Sequence, residues 1–147
     1  MVLEAIMTNW VASTAYRTLH RFDRYTNYYQ KDLPANFFSN GIIFEKDEQL
    51  VGVYENIPGN LEDSIVITDK NLHLFTKDKW LTIRFGDVTK VDTIGEKFLK
   101  SGLTLYLTDG QTFDIPVTGG KGSFTDKFEF LRFFQGIMRR KNLLKTT

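Results

Sequence analysis

The fold is decided by residues 65–85, which read IVITDKNLHLFTKDKWLTIRF. Three short runs rich in β-branched and aromatic residues alternate there with two polar turns, at 69–71 and 77–79. Turns of this length and composition join neighbouring antiparallel strands. Apolar residues stand at every second position, as at Leu72 and Leu74, so each strand has one apolar face. The stretch predicts an antiparallel meander whose other face is exposed to water.

The same pattern continues on both sides of this stretch and predicts seven strands within 42–117. The predicted strands cover residues 49–57, 64–68, 72–76, 80–85, 90–94, 103–108 and 112–117. The pair Asp109-Gly110 lies between the last two strands. It predicts a type I′ turn, because both central residues of that turn have positive φ and this pair tolerates it.

The N-terminal region has a helical pattern instead. No Gly or Pro occurs from Val2 to Tyr29, and apolar and aromatic residues recur at spacings of three and four. Because Pro34 disfavours helical geometry in the residue before it, the helical extension is predicted over 1–33. Its aromatic stripe packs either on its own domain or on another protein. Own-domain packing avoids leaving the stripe in water.

A second helix is predicted over 123–143, after a glycine-rich corner. Ser123 and Asp126 resemble a capping box, and an aromatic stripe follows from Phe128 onward. A chain of 147 residues supports one hydrophobic core. We therefore expect a single α+β domain over 1–147, in which this helix covers the antiparallel sheet.

Four phrases of the sequence follow one another in a familiar order. They are ITDKNLHLF at 67–75, IRFGDVTKV at 83–91, LTLYLTDG at 103–110 and the aromatic helix FEFLRFF at 128–134. In this order, the segment 48–139 resembles the pleckstrin-homology-like (PH-like) superfamily, and within it the bacterial PH and GRAM-type domains. The resemblance implies a seven-stranded, curved antiparallel sheet or partly open barrel capped by a C-terminal helix. The N-terminal helix is then an addition to that fold.

Composition excludes several classes of function. The net charge is +1, from 19 basic and 18 acidic residues, so no global field attracts nucleic acid. No cysteine is present, which excludes thiolate catalysis and cysteine-bound zinc. The sequence has no apolar run of about 18 residues and no signal-peptide pattern at its start. We predict a cytoplasmic protein without cofactor or metal.

Catalytic patterns are equally scarce. The two histidines, His20 and His73, fall on a helix and a strand that nothing in the sequence brings together, so surface or partly packed roles are predicted for both. The acidic pair Asp47-Glu48 is expected to be solvated in a loop. The glycine-rich stretch 119–123 lacks the spacing of a phosphate-binding loop and is interpreted as a flexible corner. No acid and base pair is predicted, and we expect no enzyme.

The resemblance implies a binding module. Lipid-binding PH domains use cationic residues on the first hairpin and its loop, whereas the corresponding residues 56–63 contain two acids and no base. Because these acids would repel phosphate, we predict a protein partner, as for a toxin-neutralising immunity protein or a self-associating homo-oligomer. The candidate protein-binding residues are Trp10, Phe22, Tyr25, Tyr29, Phe98 and Leu99. Packing of Phe98 and Leu99 on the protein's own core is an equally supported alternative to partner binding by these two residues.

The alternative function is a peripheral membrane module of GRAM or PH type. Its candidate lipid-binding residues are Lys77, Lys79, Trp80, Lys97 and Lys100. Paired lysines in a turn beside a packed tryptophan are also ordinary protein surface. Weak or no membrane association is therefore the expectation.

Overall fold

The computed structural model describes residues 2–19, 22–29, 31, 34, 37, 40–93, 102–119 and 125–145. It contains two α-helices, α1 (Val2–Leu19) and α2 (Thr125–Lys145). The described strands are β1 (Tyr25–Asn27), β2 (Leu50–Tyr54), β3 (Ile65–Thr68), β4 (Asn71–Thr76), β5 (Lys79–Arg84), β6 (Val88–Thr93), β7 (Gly102–Leu107) and β8 (Thr112–Pro116). A 3₁₀ turn, Phe85–Asp87, joins β5 to β6.

The strands form two antiparallel sheets, one of five strands in the order β1-β2-β3-β4-β5 and one of three in the order β6-β7-β8. The α+β class is confirmed, and each of the seven predicted strand segments overlaps an observed strand. The division into two separate sheets, which do not close into a barrel, differs from the predicted single seven-stranded sheet. The eighth strand is β1, in the region predicted to be helical.

The N-terminal helix is shorter than predicted. It ends at Leu19, and the chain then turns and pairs Tyr25 with Tyr54 at the edge of the five-stranded sheet. A spacing of three and four fits a helix, but here the backbone gains a β-ladder and the Tyr25 ring is buried across Gly52. Tertiary pairing therefore outweighs the local helical pattern beyond Leu19.

The two-residue hairpin turn lies elsewhere than predicted. Lys77 and Asp78 both have positive φ, 53° and 63°, and they connect β4 to β5 in a type I′ geometry. At the predicted position only Gly110 has positive φ, 88°. The N–H of Leu107 donates to the carbonyl of Gln111 across a three-residue loop, 2.9 Å. The type I′ prediction for Asp109-Gly110 is therefore wrong, since that loop needs left-handed geometry at its last residue only.

Both faces of the central strands are buried, so the prediction of one wet face is wrong for β2, β3 and β4. The inner face packs against the two helices and the second sheet. On the outer face Val53 and Val66 pack with Phe37 and Ile42, which belong to the connection between β1 and β2. This connection folds over the sheet as a cover, which the strand alternation alone does not indicate. The strand β5, in contrast to β2, β3 and β4, keeps a largely exposed face.

The α1 helix packs on its own domain. Val11, Ala15 and Leu19 are fully buried in the main core. The helices α1 and α2 approach closely at Gly136, where an added Cβ would lie 3.2 Å from Thr14 Cγ2. Because no side chain separates them there, the two helices can pack at short distance. No helix in the described part of the chain has the length and apolar character needed to cross a membrane.

A polar corner ties β2 to the start of α2. The Tyr54 hydroxyl donates to Asp126 Oδ2 at 2.7 Å and accepts the N–H of Gly119 at 3.0 Å. Asn56, two residues further along the chain, donates its side-chain N–H to the carbonyl of Pro116 at 2.8 Å. Burial raises the pKa of Asp126, and the hydrogen bond from Tyr54 opposes that rise. The corner fastens the first sheet to the last strand and to the helix that follows it.

Substitution of Gly52 tests the pairing of β1. A Cβ at this position overlaps the Tyr25 ring, so the ring has to leave its buried place. We expect Gly52→Ala to lower the free energy of unfolding by about 1–3 kcal/mol in urea denaturation. Gly86→Ala is the control, because its Cβ meets nothing within 4 Å. Equal stability of the two variants would contradict this packing.

Candidate functional site

The strand β5 forms an open edge of the five-stranded sheet. It pairs with β4 alone among the strands of the described residues. Because β4 and β5 are joined by a two-residue turn, the ladder bonds to β4 fall on every second residue of β5. The backbone N–H and C=O groups of Trp80, Thr82 and Arg84 consequently point away from β4. They form a row of donors and acceptors at the edge, which an added strand could use.

This edge carries three cationic side chains, and Asp78, Glu45 and Glu62 lie close to them. Lys77 and Lys79 are exposed at the hairpin end, as the interpretation of them as surface lysines predicted. Arg84 stands at the other end of β5 with its side chain 56% exposed, and its guanidinium lies 3.1 Å from Glu45. Three cations therefore flank the free backbone groups, while Asp78 in the turn is the acid between the two lysines.

Trp80 is held in place by the protein itself. Its indole N–H donates to the carbonyl of Asn40 at 3.1 Å. Its ring packs against Phe75, with centroids 4.9 Å apart, and against Phe37 at 6.2 Å. The side chain closes the cover over the outer face of the sheet. Insertion of this ring into a membrane would break these contacts.

Beneath the edge lies a buried polar network centred on His73. Its Nε2 lies 2.7 Å from Glu48 Oε2, and its Nδ1 lies 2.8 Å from Thr82 Oγ1. The side chains of His73 and Glu48 are 1% and 0% exposed. The ring of Phe44 stacks on His73 with centroids 5.4 Å apart. The prediction of a surface or partly packed His73 is therefore wrong, and so is the prediction that no acid and base pair exists.

Glu48 is held as a carboxylate. Burial alone would raise its pKa, but hydrogen bonds from His73, from Thr68 and from the N–H of Glu45 outweigh that effect, with a smaller contribution from Asn71. The pKa of Glu48 is lowered from 4.5 to about 2. The buried Oδ1 of Asn71 at the side of this network has no hydrogen-bond partner in the structure. The Asp47-Glu48 pair is thus split, since Asp47 is exposed and Glu48 is not.

Four of the six predicted protein-binding residues lie in the described part of the chain, and none of these four is fully exposed. Tyr25 is buried, while Trp10, Phe22 and Tyr29 are partly buried. Phe22 packs edge-on against Tyr54 at 6.0 Å between centroids. The predicted residues Phe98, Leu99, Lys97 and Lys100 lie outside the described residues, as does His20. The stripe contributes to the protein's own core and leaves β5 as the better candidate surface.

A basic residue that is distant in sequence, Arg24, lies beside the loop at 56–63. The Arg24 guanidinium donates to the carbonyl of Asn56 at 2.5 Å and to Thr118 Oγ1 at 2.9 Å. A nearby cavity of about 220 Å³ is lined by Thr26, Tyr28, Pro34, Phe37, Val53, Glu55, Gly59, Asn60, Leu61 and Ser64. Its carboxylate, Glu55, accepts the N–H of Gly59 at 2.9 Å. The Arg24 guanidinium and the Glu55 carboxylate are both engaged by other groups of this protein.

Replacement of Glu48 tests the network through pH. A carboxylate whose pKa falls on folding stabilises the protein above about pH 5, and this stability is lost as the pH decreases toward 2. We expect Glu48→Gln to lower the free energy of unfolding by about 2–3 kcal/mol at pH 7. The variant should also lose less stability than the wild type between pH 5 and pH 2, measured by chemical denaturation. Glu129→Gln, on the surface, should follow the wild-type profile, and an unchanged profile for Glu48→Gln would contradict the assignment.

The candidate site therefore consists of the open edge of β5 and the buried Glu48–His73–Thr82 network behind it. Among the described residues, no group of three or more His, Asp or Glu side chains is arranged to hold a metal ion. Comparison with family models, curated proteins and solved structures gives no match for this chain.

Proposed function

We propose that this chain is a protein-interaction module of PH-like build that binds an extended, acidic segment of a partner along β5. The PH-like part is supported by element order, since β2 to β5, then β6 to β8, precede a C-terminal helix. The packing of α2 across the inner face supports the same comparison. A cytoplasmic location is part of the proposal.

The proposal rests on the backbone N–H and C=O groups of Trp80, Thr82 and Arg84, which point away from β4 at the open edge of the sheet. An extended segment that pairs there makes main-chain hydrogen bonds without any rearrangement of the sheet. The strand is regular over Lys79–Arg84, with no bulge in its register with β4. Regular edges without bulges are the ones that accept another strand.

Charge decides the kind of partner. Lys79 and Arg84 lie near opposite ends of β5, with Lys77 beside the first. Two copies pairing through β5 would bring Lys77, Lys79 and Arg84 of both copies to one seam, and like charges gathered at a seam are unfavourable. An acidic strand meets the same cations favourably. A different protein, such as a toxin neutralised by an immunity protein, therefore fits the edge better than a second copy does.

The lipid alternative has less support. Lys77 and Lys79 can meet anionic headgroups, but Trp80 is tied to Asn40 and to neighbouring rings. Two exposed lysines contribute only about 2 kcal/mol at an anionic surface. Such a surface gives marginal binding at physiological salt.

A short peptide that alternates valine and glutamate tests the strand-addition proposal. We expect it to shift and protect the amide NMR signals of Trp80, Thr82 and Arg84, and to bind about tenfold or more tightly than a valine–lysine peptide. Thr82→Pro removes an outward N–H at an edge position where proline is tolerated, so it should abolish binding. Thr82→Val, which keeps the N–H and lacks the hydroxyl, separates the two effects and should still bind. Equal binding to Thr82→Pro and the wild type would contradict strand addition.

Co-sedimentation with vesicles of phosphatidylcholine and phosphatidylserine tests the alternative. We expect no salt-sensitive association of the wild-type protein with these vesicles. Binding that decreases in Lys77→Glu and Lys79→Glu would favour the membrane module instead.

A further inference from the structure

The Glu48–His73–Thr82 network has the connectivity of an acid, a base and a hydroxyl in series. Each ring nitrogen of His73 has one partner, the carboxylate at 2.7 Å and the hydroxyl at 2.8 Å. His73 and Thr82 are cross-strand partners in β4 and β5. They form a pair without ladder bonds between them, in which side chains approach most closely. The register of the hairpin therefore sets the distance between base and hydroxyl.

The proton positions follow from the charge on Glu48. An ionised carboxylate can only accept, so Nε2 of His73 carries the proton and donates it to Glu48. In the neutral ring, the lone pair is then on Nδ1. The Thr82 hydroxyl donates to that lone pair, which is the arrangement a general base requires.

Solvent can approach Thr82 but not the ring of His73. Thr82 is exposed on β5, whereas His73 and Glu48 have side chains 1% and 0% exposed. Phe44 covers the ring of His73 and keeps water from its face. The backbone N–H of Thr82 itself points to the open edge. A carbonyl group that approaches Thr82 from solvent can meet both the hydroxyl and this N–H donor.

We propose that Thr82 Oγ1 is a nucleophile that accepts an acyl group from an activated ester or thioester. The Oγ1 atom attacks the carbonyl carbon while its proton moves to His73 Nδ1, and Glu48 stabilises the imidazolium that forms. The bond from carbon to the leaving oxygen or sulfur breaks, and the proton passes from His73 to the leaving group. The product is an acyl ester on Thr82, with no change of oxidation state. This reactivity does not rest on strand addition, and a strand paired at this edge would compete with it for the Thr82 N–H.

The experiment uses p-nitrophenyl acetate, with nitrophenolate release followed by absorbance and acetylated positions mapped by peptide mass spectrometry. Thr112, which is exposed on β8 away from any histidine in the described residues, is the internal control. We expect acetylation of Thr82 to be about a hundredfold faster than that of Thr112. Thr82→Ser should keep the fast reaction, since serine supplies the same hydroxyl.

His73→Gln keeps the Thr82 hydroxyl and removes the base, so its residue 82 should react no faster than Thr112. Circular dichroism checks that this variant folds. If it does not fold, the comparison of Thr82 with Thr112 in the wild-type protein still tests the proposal. Equal acetylation of Thr82 and Thr112 in the wild type would overturn the proposal. Fast acetylation of Thr82 that persists in folded His73→Gln would overturn the role of the base.

Discussion

The two-residue turn at Lys77 and Asp78 is the constraint on which the candidate site of this protein depends. Positive φ at both residues fixes one register between β4 and β5. That register directs the backbone groups of Trp80, Thr82 and Arg84 outward, and it sets Thr82 opposite His73. A shift by one residue would move every side chain of β5 to the other face and exchange the outward and inward backbone groups. The open edge of β5 and the Glu48–His73–Thr82 network therefore both depend on the register between β4 and β5.

Burial of both faces of the central strands explains why both ring nitrogens of His73 are paired. His73 occupies an outer-face position that is covered by the connection between β1 and β2. A histidine in that place needs a partner for each nitrogen, and Glu48 arrives from the covering segment itself. The cover and the sheet are consequently joined by a buried charged contact as well as by apolar packing around Val53 and Val66.

The sequence predicted the strand segments and the C-terminal helix well, because turn residues and the alternation of apolar and polar residues are local patterns. It could not predict β1, a three-residue strand that exists through pairing with β2 across Gly52. The site was hidden for a similar reason. Glu48 and His73 are 25 residues apart, and no periodic pattern shows how the covering segment runs. The alternation did place His73 on the outer face, but that face was predicted to be wet.

The polar corner has a consequence for how the chain acquires its structure. The hydrogen bond between Tyr54 and Asp126 spans 72 residues. The bond that Asn56 donates to Pro116 spans 60 residues, and the bond that it accepts from the N–H of Thr118 spans 62. Contacts of such sequence separation form late, because the chain between them must first be ordered. During synthesis, the side chains of Tyr54 and Asn56 therefore lack these partners until the later residues have left the ribosome. The hydrogen bonds that fasten β2 to α2 are therefore among the last that these residues can form.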